Sequence, residues 1–364
     1  MEEPQATPTV SVHEVTLENY GDIAKLLHNF RGVAHNREYW FEKFALWWDK
    51  NPLYEHSIPR GWLLRAGTEI VGFISCIPIP YQLAGEERLT YTASTWYVIP
   101  EYRKNGLILF LSLLKEASGT IIWNTTLNDS SRSVVERLYY QPIPYPFTQH
   151  FQVFTGIGAW LHDLSITRKW PQSLQWRLES FHKWQVGGNL ARPQKTYGDP
   201  LRVERLDHAG AVFDRLWQRT RADYPTTRIR NAASVNWYCF GLPSRVKVLF
   251  GCFQGEDLTG FAIFSRRIVR GYPYLECFDL WIDPSITQTG DVLFDAAMYW
   301  AANNEYRGLV SYDYPWIRDW LNNRRWKIVT QGHPGGVMKG PENLLQSIRK
   351  GACYFVYGEG DLGL

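Results

Sequence analysis

At 364 residues the chain exceeds one ordinary domain and accommodates about two. Its 45 % hydrophobic content supports a sizeable core and excludes global disorder, while 39 basic against 36 acidic residues, interspersed along the chain, leave no basic tract for nucleic acid. The cysteines (Cys76, Cys239, Cys252, Cys277, Cys353) are odd in number and widely spaced without a C-x-x-C pair, and the nine histidines show no metal-like spacing, so buried thiols and no metal are expected. A lone histidine such as His208 or His333 is expected to cap or sit on the surface.

The N-terminus, MEEPQATPTV, lacks a basic-then-apolar leader pattern, and the apolar run Gly106 to Leu114 is too short to span a bilayer; a soluble, cytoplasmic protein without a membrane span is expected. In chain order, REYWFEKF at 37–44 reads as an aromatic-rich helix, and GWLLRAGTEIV followed by GFIS at 72–75 as paired strands around a polar turn. Thr92 to Ile99 is β-branched and aromatic and ends at Pro100, which lacks an N–H. The chain then turns through Glu101, Tyr102, Arg103, Lys104 and Asn105. Gly106 opens a helix whose apolar positions Leu107, Phe110, Leu111 and Leu114 recur at helical spacing. Thr120–Trp123 reads as a strand and Ser130–Tyr140 as a second helix. A proline-rich stretch, 141–149, follows, and His150–Gly156 reads as a strand closing the first unit. From Trp160 to Pro200, Leu174, Leu178 and Phe181 at helical spacing predict an amphipathic helix packed across two units, or alternatively a lid or acyl-chain surface. Of the 17 tryptophans, those on apolar faces, such as Trp47, Trp217 and Trp300, are expected in the core.

The turn before Gly106 has the chemistry of an anion seat. A helix start leaves its first N–H groups unpaired and partially positive, two cations precede it, and glycine removes a Cβ from the approach. A pyrophosphate suits such a mouth. The segment resembles the central motif of the GCN5-related N-acetyltransferase (GNAT) superfamily, a strand ending in Val-x-Pro followed by Arg-x-x-Gly-x-small: Val98, Pro100, Arg103 and Gly106 match, and Ile108 departs from the small residue. Asn128 and Ser131 match the Asn-x-x-Ala that follows, and Tyr140 matches the phenylalanine of a Gly-Phe pair. Val135 falls where the family often has a tyrosine acid, and Tyr139, one helical turn on, is the nearest substitute.

The resemblance implies an α/β fold (α+β mixed sheet) that binds acetyl-CoA or another acyl-CoA as substrate. Tyr97, Val98, Arg103, Lys104, Asn105, Gly106, Leu107, Ile108, Asn128 and Ser131 would form the coenzyme site, with unpaired N–H groups near Tyr97 and Val98 polarising the thioester where two strands splay.

The chain also repeats itself. PEYRKNGLILF at 100–110 aligns without a gap with PSITQTGDVLF at 284–294, GFIS with GFAI at 260–263, and REYWFEKF with RNAASVNWYCF at 230–240; Gly308–Tyr312 and Trp316–Trp326 repeat the later strand and helix. Two GNAT-like acyl-CoA N-acyltransferase units in tandem are therefore predicted: an N-terminal unit over 1–158, an amphipathic connection over 159–199 and a C-terminal unit over 200–364. In the second unit Thr287 and Gln288 replace Arg103 and Lys104, so its loop is degenerate, whereas Asp279 stands where the first has Thr95. Asp279, and less so Glu276, are candidate bases if the units share a cleft, with Tyr139 the candidate acid. Tandem units also resemble N-myristoyltransferases, which use a C-terminal carboxylate as base; by architecture that points to Leu364.

The function so implied is N-acyl transfer to an amine of a small molecule or amino sugar, by a monomer or weak dimer. The alternatives are a Fem-type transferase using aminoacyl-tRNA, disfavoured by the absence of a basic cluster, and a catalytically silent GNAT-like binding module.

Overall fold

A computed structural model describes residues 9–145, 147–189, 201–244, 246–332, 335–360 and 364. His333 lies outside them. The first half contains β1 (Val10–Glu14), α1 (Tyr20–Leu26), α2 (Arg37–Phe44), β2 (Gly61–Ala66), β3 (Glu69–Ser75), β4 (Ile77–Leu83), β5 (Glu86–Thr92), β6 (Tyr97–Val98), α3 (Gly106–Glu116), β7 (Ile122–Asn124), α4 (Asp129–Arg137), β8 (Gln141–Pro142) and β9 (Gln149–Phe154). A helical pair follows, α5 (Ile157–Thr167) and α6 (Gln172–Asn189). The second half contains β10 (Leu201–Leu206), α7 (Ala211–Thr220), β11 (Thr227–Arg228), α8 (Ala232–Phe240), β12 (Lys247–Gln254), β13 (Asp257–Val269), β14 (Tyr272–Ile282), α9 (Thr289–Asn303), β15 (Gly308–Tyr312), α10 (Arg318–Asn322), β16 (Lys327–Gln331), β17 (Val337–Lys339) and α11 (Glu342–Lys350).

A strand, two helices, a run of antiparallel strands, a helix, a strand and a helix thus follow one another twice; the run is β2–β6 in the first half and β12–β14 in the second, where β11 is added between the two helices. Even local devices repeat. Asn36 caps α2 by accepting from Tyr39 N, and Asn231 caps α8 by accepting from Ser234 N.

The strands form three sheets, ordered β1-β2-β3-β6, β11-β4-β5-β7-β17-β8 and β10-β12-β13-β14-β15-β9-β16. Their membership corrects one expectation. The strand at His150–Gly156 does not close the first unit: β9 runs antiparallel between β15 and β16 of the second, while β17 crosses the other way and pairs with β7 and β8. An exchange of strands leaves each unit incomplete without the other. The shared core reflects this, running from Trp47 and Trp48 through Trp123 and Trp217 to Trp281, with Trp300 packed at its edge. All five cysteines are free thiols, and four are buried.

The amphipathic connection also differs from expectation. Residues 190–199 of it lie outside the described residues; the rest is two helices broken at Trp170–Pro171, and the face bearing Leu174 and Phe181 is turned outward while His182 is buried. Hydrogen bonds rather than an apolar stripe anchor α6: Gly158 N donates to Gln185 Oε1 at 3.0 Å, and Arg307 donates to Glu179. No helix among the described residues is long and apolar enough to cross a membrane.

Candidate active site

Where β5 runs beside β7, Tyr91 faces Ile122 and Thr92 faces Trp123 in parallel register, and there the pairing stops. Beyond Thr92 the chain leaves for another sheet. Ala93–Trp96 lie opposite Ile74–Cys76, one residue more, so a β-bulge separates the Ile77–Thr92 pair from the Phe73–Tyr97 pair. Ser75 fixes the bulge, since its Oγ donates to Ser94 O at 2.7 Å and accepts from Ser94 N at 2.8 Å. Thr95 at its crest has φ +53°, a left-handed conformation costly for a β-branched residue. The divergence of β6 from β7 opens a cavity of about 430 Å³.

Its inner end is Ala93–Thr95 and Asn124, its sides Trp96, Phe110, Leu127 and Val134, and its mouth Arg103, Gly106, Asn128 and Ser131. The antiparallel register explains what the wall offers. Ile99 N donates to Val71 O at 3.0 Å, so Tyr97 faces Phe73 as a bonded pair and the N–H of Val98 turns away from β3 toward the opening. Phe30 closes one side, edge-on to Tyr97 at 6.0 Å.

The anion seat is built differently from the expected open loop. Pro100–Asn105 is a 3₁₀ turn running straight into α3, and it uses donors that the sequence left free: Tyr102 N donates to Ile99 O at 3.1 Å and Gly106 N to Arg103 O. Positive charge at the mouth therefore rests on the exposed side chain of Arg103, with exposed Lys104 next to it outside the lining, and neither has an ion-pair partner among the described residues. Gly106 serves packing as well, because a Cβ there would press on Val98 Cγ2 at 3.2 Å. Trp96 Nε1 donates to Gly106 O at 3.2 Å and ties the bulge to the helix start.

Of the coenzyme candidates, the structure brings Tyr97, Val98, Arg103, Gly106, Asn128 and Ser131 to the cavity wall. Lys104, Asn105, Leu107 and Ile108 lie outside it, with Leu107 and Ile108 exposed on the outer face of α3. Asn128 also caps α4, its Oδ1 accepting from Ser131 N at 2.8 Å and Ser131 Oγ at 2.6 Å.

The catalytic candidates are not brought there. Tyr139 is 84 % exposed because α4 ends at Arg137 and Tyr139 takes φ +58° in a closing turn, with its N–H bonded to Glu136 O and that of Tyr140 to Val135 O. It therefore does not share a helix face with Val135, which is fully buried. Asp279 is 1 % exposed and engaged on every side: Arg230 Nε donates at 2.9 and 3.1 Å, Tyr238 OH at 2.6 Å and Leu280 N at 2.9 Å. Glu276 pairs with Arg267, and burial pushes its carboxyl above the usual range. The main-chain oxygen of Leu364 accepts from buried Lys43 Nζ, and His208 is exposed beside Asp207 at 2.8 Å.

Tyr140, rather than Tyr139, approaches the site. Its ring packs 5.9 Å from Phe110, and burial raises its hydroxyl pKa, with the Asn124 side chain pulling it back. Asn124 belongs to no motif, and its only sequence signal is its place at the end of β7.

No protein-family model matches this sequence, and no curated protein matches it. Solved structures do. A GCN5-related N-acetyltransferase from Anabaena variabilis ATCC 29413 superposes with TM-score 0.57 at 11 % identity over 91 % of this chain and 72 % of that one. Another from Kribbella flavida gives 0.54 at 13 % over 92 % and 72 %. An N-myristoyltransferase from Saccharomyces cerevisiae, with bound myristoyl-CoA, gives 0.52 at 15 % over 93 % and 80 %. The chain therefore has the GNAT fold. The arrangement is a mixed α/β tandem of two such units, compatible with that of the myristoyltransferase.

Proposed function

We propose that the protein is an acyl-CoA-dependent N-acyltransferase whose first unit binds the thioester and passes an acetyl or longer acyl group to an amine of a small molecule or amino sugar. The observation that supports this best is the cavity itself: it begins at a strand divergence, presents a main-chain donor, Val98 N–H, along its side, and ends between a helix start and Arg103. Coenzyme diphosphate at the mouth would meet Arg103, with Lys104 adding charge from just outside the lining, and pantetheine would run inward between β6 and β7. Val98 N–H then faces the thioester oxygen. As the amine attacks, the new C–N bond forms and the C–S bond breaks; charge gathering on the carbonyl oxygen is met by a donor already fixed by its strand, at no reorganisation cost. Isothermal titration tests the reading. Acetyl-CoA and longer acyl-CoAs are expected to bind one per chain, more weakly to Arg103→Ala; no heat with any of them, in either protein, rejects it.

A silent coenzyme-binding module is the second reading, favoured by the outward Tyr139 and the fully engaged Asp279. Release of free thiol with any of a panel of amines would exclude it.

A further inference from the structure

Three buried polar side chains collect at the inner end of the cavity. Thr95 and Asn124 line it, 6 % and 4 % exposed, and Tyr140, 7 % exposed, stands behind Asn124 and against Phe110. Thr95 Oγ1, Asn124 Nδ2 and Tyr140 OH all lack a hydrogen bond among the described residues; the Tyr140 hydroxyl and the Asn124 side chain are neighbours, yet neither of these atoms closes a bond of good geometry. Buried polar atoms are normally satisfied, because leaving them dry costs free energy. The backbone makes the arrangement more pointed. Thr95 sits at φ +53°, where glycine or asparagine would be easier, and so holds its hydroxyl at the bulge against a conformational cost.

Direction of entry fixes what would meet these groups. With the diphosphate at Arg103 and Asn128 and the thioester beside Val98, the far end near Ala93–Thr95 and Asn124 receives the acyl group. This step rests on the acyl-CoA reading above. A saturated hydrocarbon there would leave one amide donor and two hydroxyls unpaired, whereas an oxygen on the acyl chain would accept from those it reaches. We infer that the inner end of the cavity is a subsite for an oxygen-bearing acyl group, hydroxy or oxo near the thioester, read by Thr95 and Asn124, with Tyr140 acting from behind Asn124. The saturated analogue is discriminated against because it leaves the site's own groups unpaired.

Isothermal titration with coenzyme A, butyryl-CoA and 3-hydroxybutyryl-CoA separates the two claims. The wild type is expected to bind the hydroxyacyl thioester about 10-fold more tightly than butyryl-CoA, an effect of the size of one or two buried hydrogen bonds. Thr95→Val, which keeps branching and volume, and Tyr140→Phe should each bring that ratio within about 3-fold while leaving affinity for coenzyme A itself unchanged. Should butyryl-CoA bind as tightly as its hydroxy analogue, or should both variants keep the wild-type ratio with circular dichroism showing them folded, the subsite is refuted and the three groups are satisfied by water. Loss of coenzyme A binding by the wild type would instead overturn the acyl-CoA reading.

Discussion

The two halves share a defect in their long strands and use it in opposite ways. In the first, the bulge at Ala93–Trp96 parts β6 from β7 and the gap stays open. In the second, the register of β13 on β14 slips between Ile263 and Phe264, opposite Phe278 and directly before Asp279, the position equivalent to Thr95. There the chain fills its own gap. Gly358 N donates to Phe278 O at 2.8 Å, Tyr354 OH donates to Leu280 O, and Tyr357 N donates to Tyr314 OH at 3.1 Å. The loop that would face a diphosphate is sealed as well, since a Cβ on Gly290 would lie 2.1 Å from Trp316 O. A duplicated fold thus keeps its shape while, among the described residues, the second copy's strand divergence is filled by the chain's own C-terminal segment; what distinguishes a site from a core is whether the divergence is left unfilled.

The plug depends on charge. Arg230, fully buried, holds Asp279 and also Glu359 at 3.1 Å, and Glu359 in turn accepts from Tyr81 in the first half. Asp279→Ala is therefore expected to give the largest effect of all. It leaves Arg230 underpaired in a dry interior and should cost about 3–5 kcal/mol in urea unfolding, with coenzyme affinity of the folded fraction unchanged. A variant of wild-type stability that has lost only turnover would mean instead that Asp279 serves as a base and that the second gap takes part in chemistry.

The helices between the halves should part from the second sheet in acid. His162 and His182 are held at about 4, mainly by burial, assisted by Arg307 for the former and by His162 and Lys183 for the latter, while Asp163 opposes the shift at His162, which also faces Glu179 at 3.4 Å. A folded pKa below the unfolded value of about 6.5 means that these groups stabilise the fold fully above pH 6.5, and that this is lost as pH falls toward 4. Unscreened, the two shifts would amount to roughly 7 kcal/mol; discounted for solvent screening, the pair should account for on the order of 3 kcal/mol. Glu276 and Glu359, raised by burial, act with the opposite sign, so the readout is the difference between wild type and His182→Gln in urea midpoints at pH 7 and pH 5. Equal pH dependence in both proteins would remove His182 from the account.

Coenzyme binding sharpens the contrast between filled and open gaps more directly. Removing both cations with Arg103→Ala and Lys104→Ala should weaken coenzyme A about 10- to 100-fold, the range of one or two charge-assisted contacts. Installing cations in the second copy, Thr287→Arg with Gln288→Lys, should add no site, and titration stoichiometry should stay at one per chain. A second equivalent of coenzyme would show that the plug opens.

What could be read from the sequence follows the range of the interactions involved. Gly106, Arg103 and Asn128 were legible because a strand end, a turn and a helix start lie within a few residues and each has local chemistry. The repeat was legible for the same reason. The exchange of β9 and β17 was not, since Val153 meets Leu309 and Val337 meets Asn124 from opposite halves of the chain, and nothing local in either short strand marks its partner. Asp279 stood as a candidate base, with a paired structural acid as the competing reading, because Arg230, 49 residues away, is its partner only after folding. Leu174, Leu178 and Phe181 have helical spacing, yet the face of α6 is decided by Gln185 and Glu179 reaching inward, which a hydrophobic period does not register.

Tyr139 failed for a subtler reason, and it supplies the smallest effect that still bears on the open half. Extending α4 by one more turn would have set it over Val135, and no glycine marks the stop. The helix ends all the same, because Tyr140 N reaches back to Val135 O and buries its ring beside Phe110, leaving Tyr139 to take the left-handed position between them. Glycine is the residue that this position favours, and tyrosine there is strained by about 1 kcal/mol. Tyr139→Gly is accordingly expected to raise stability by about that amount in urea unfolding, offset in part by glycine's extra unfolded-state freedom, and to leave turnover and coenzyme affinity unchanged. Lower stability would show that α4 continues through Tyr139 in solution. Unchanged stability with lost turnover would restore Tyr139 as the proton donor, and would require the wall of the open gap to reach beyond the bulge and β7 to the protein surface.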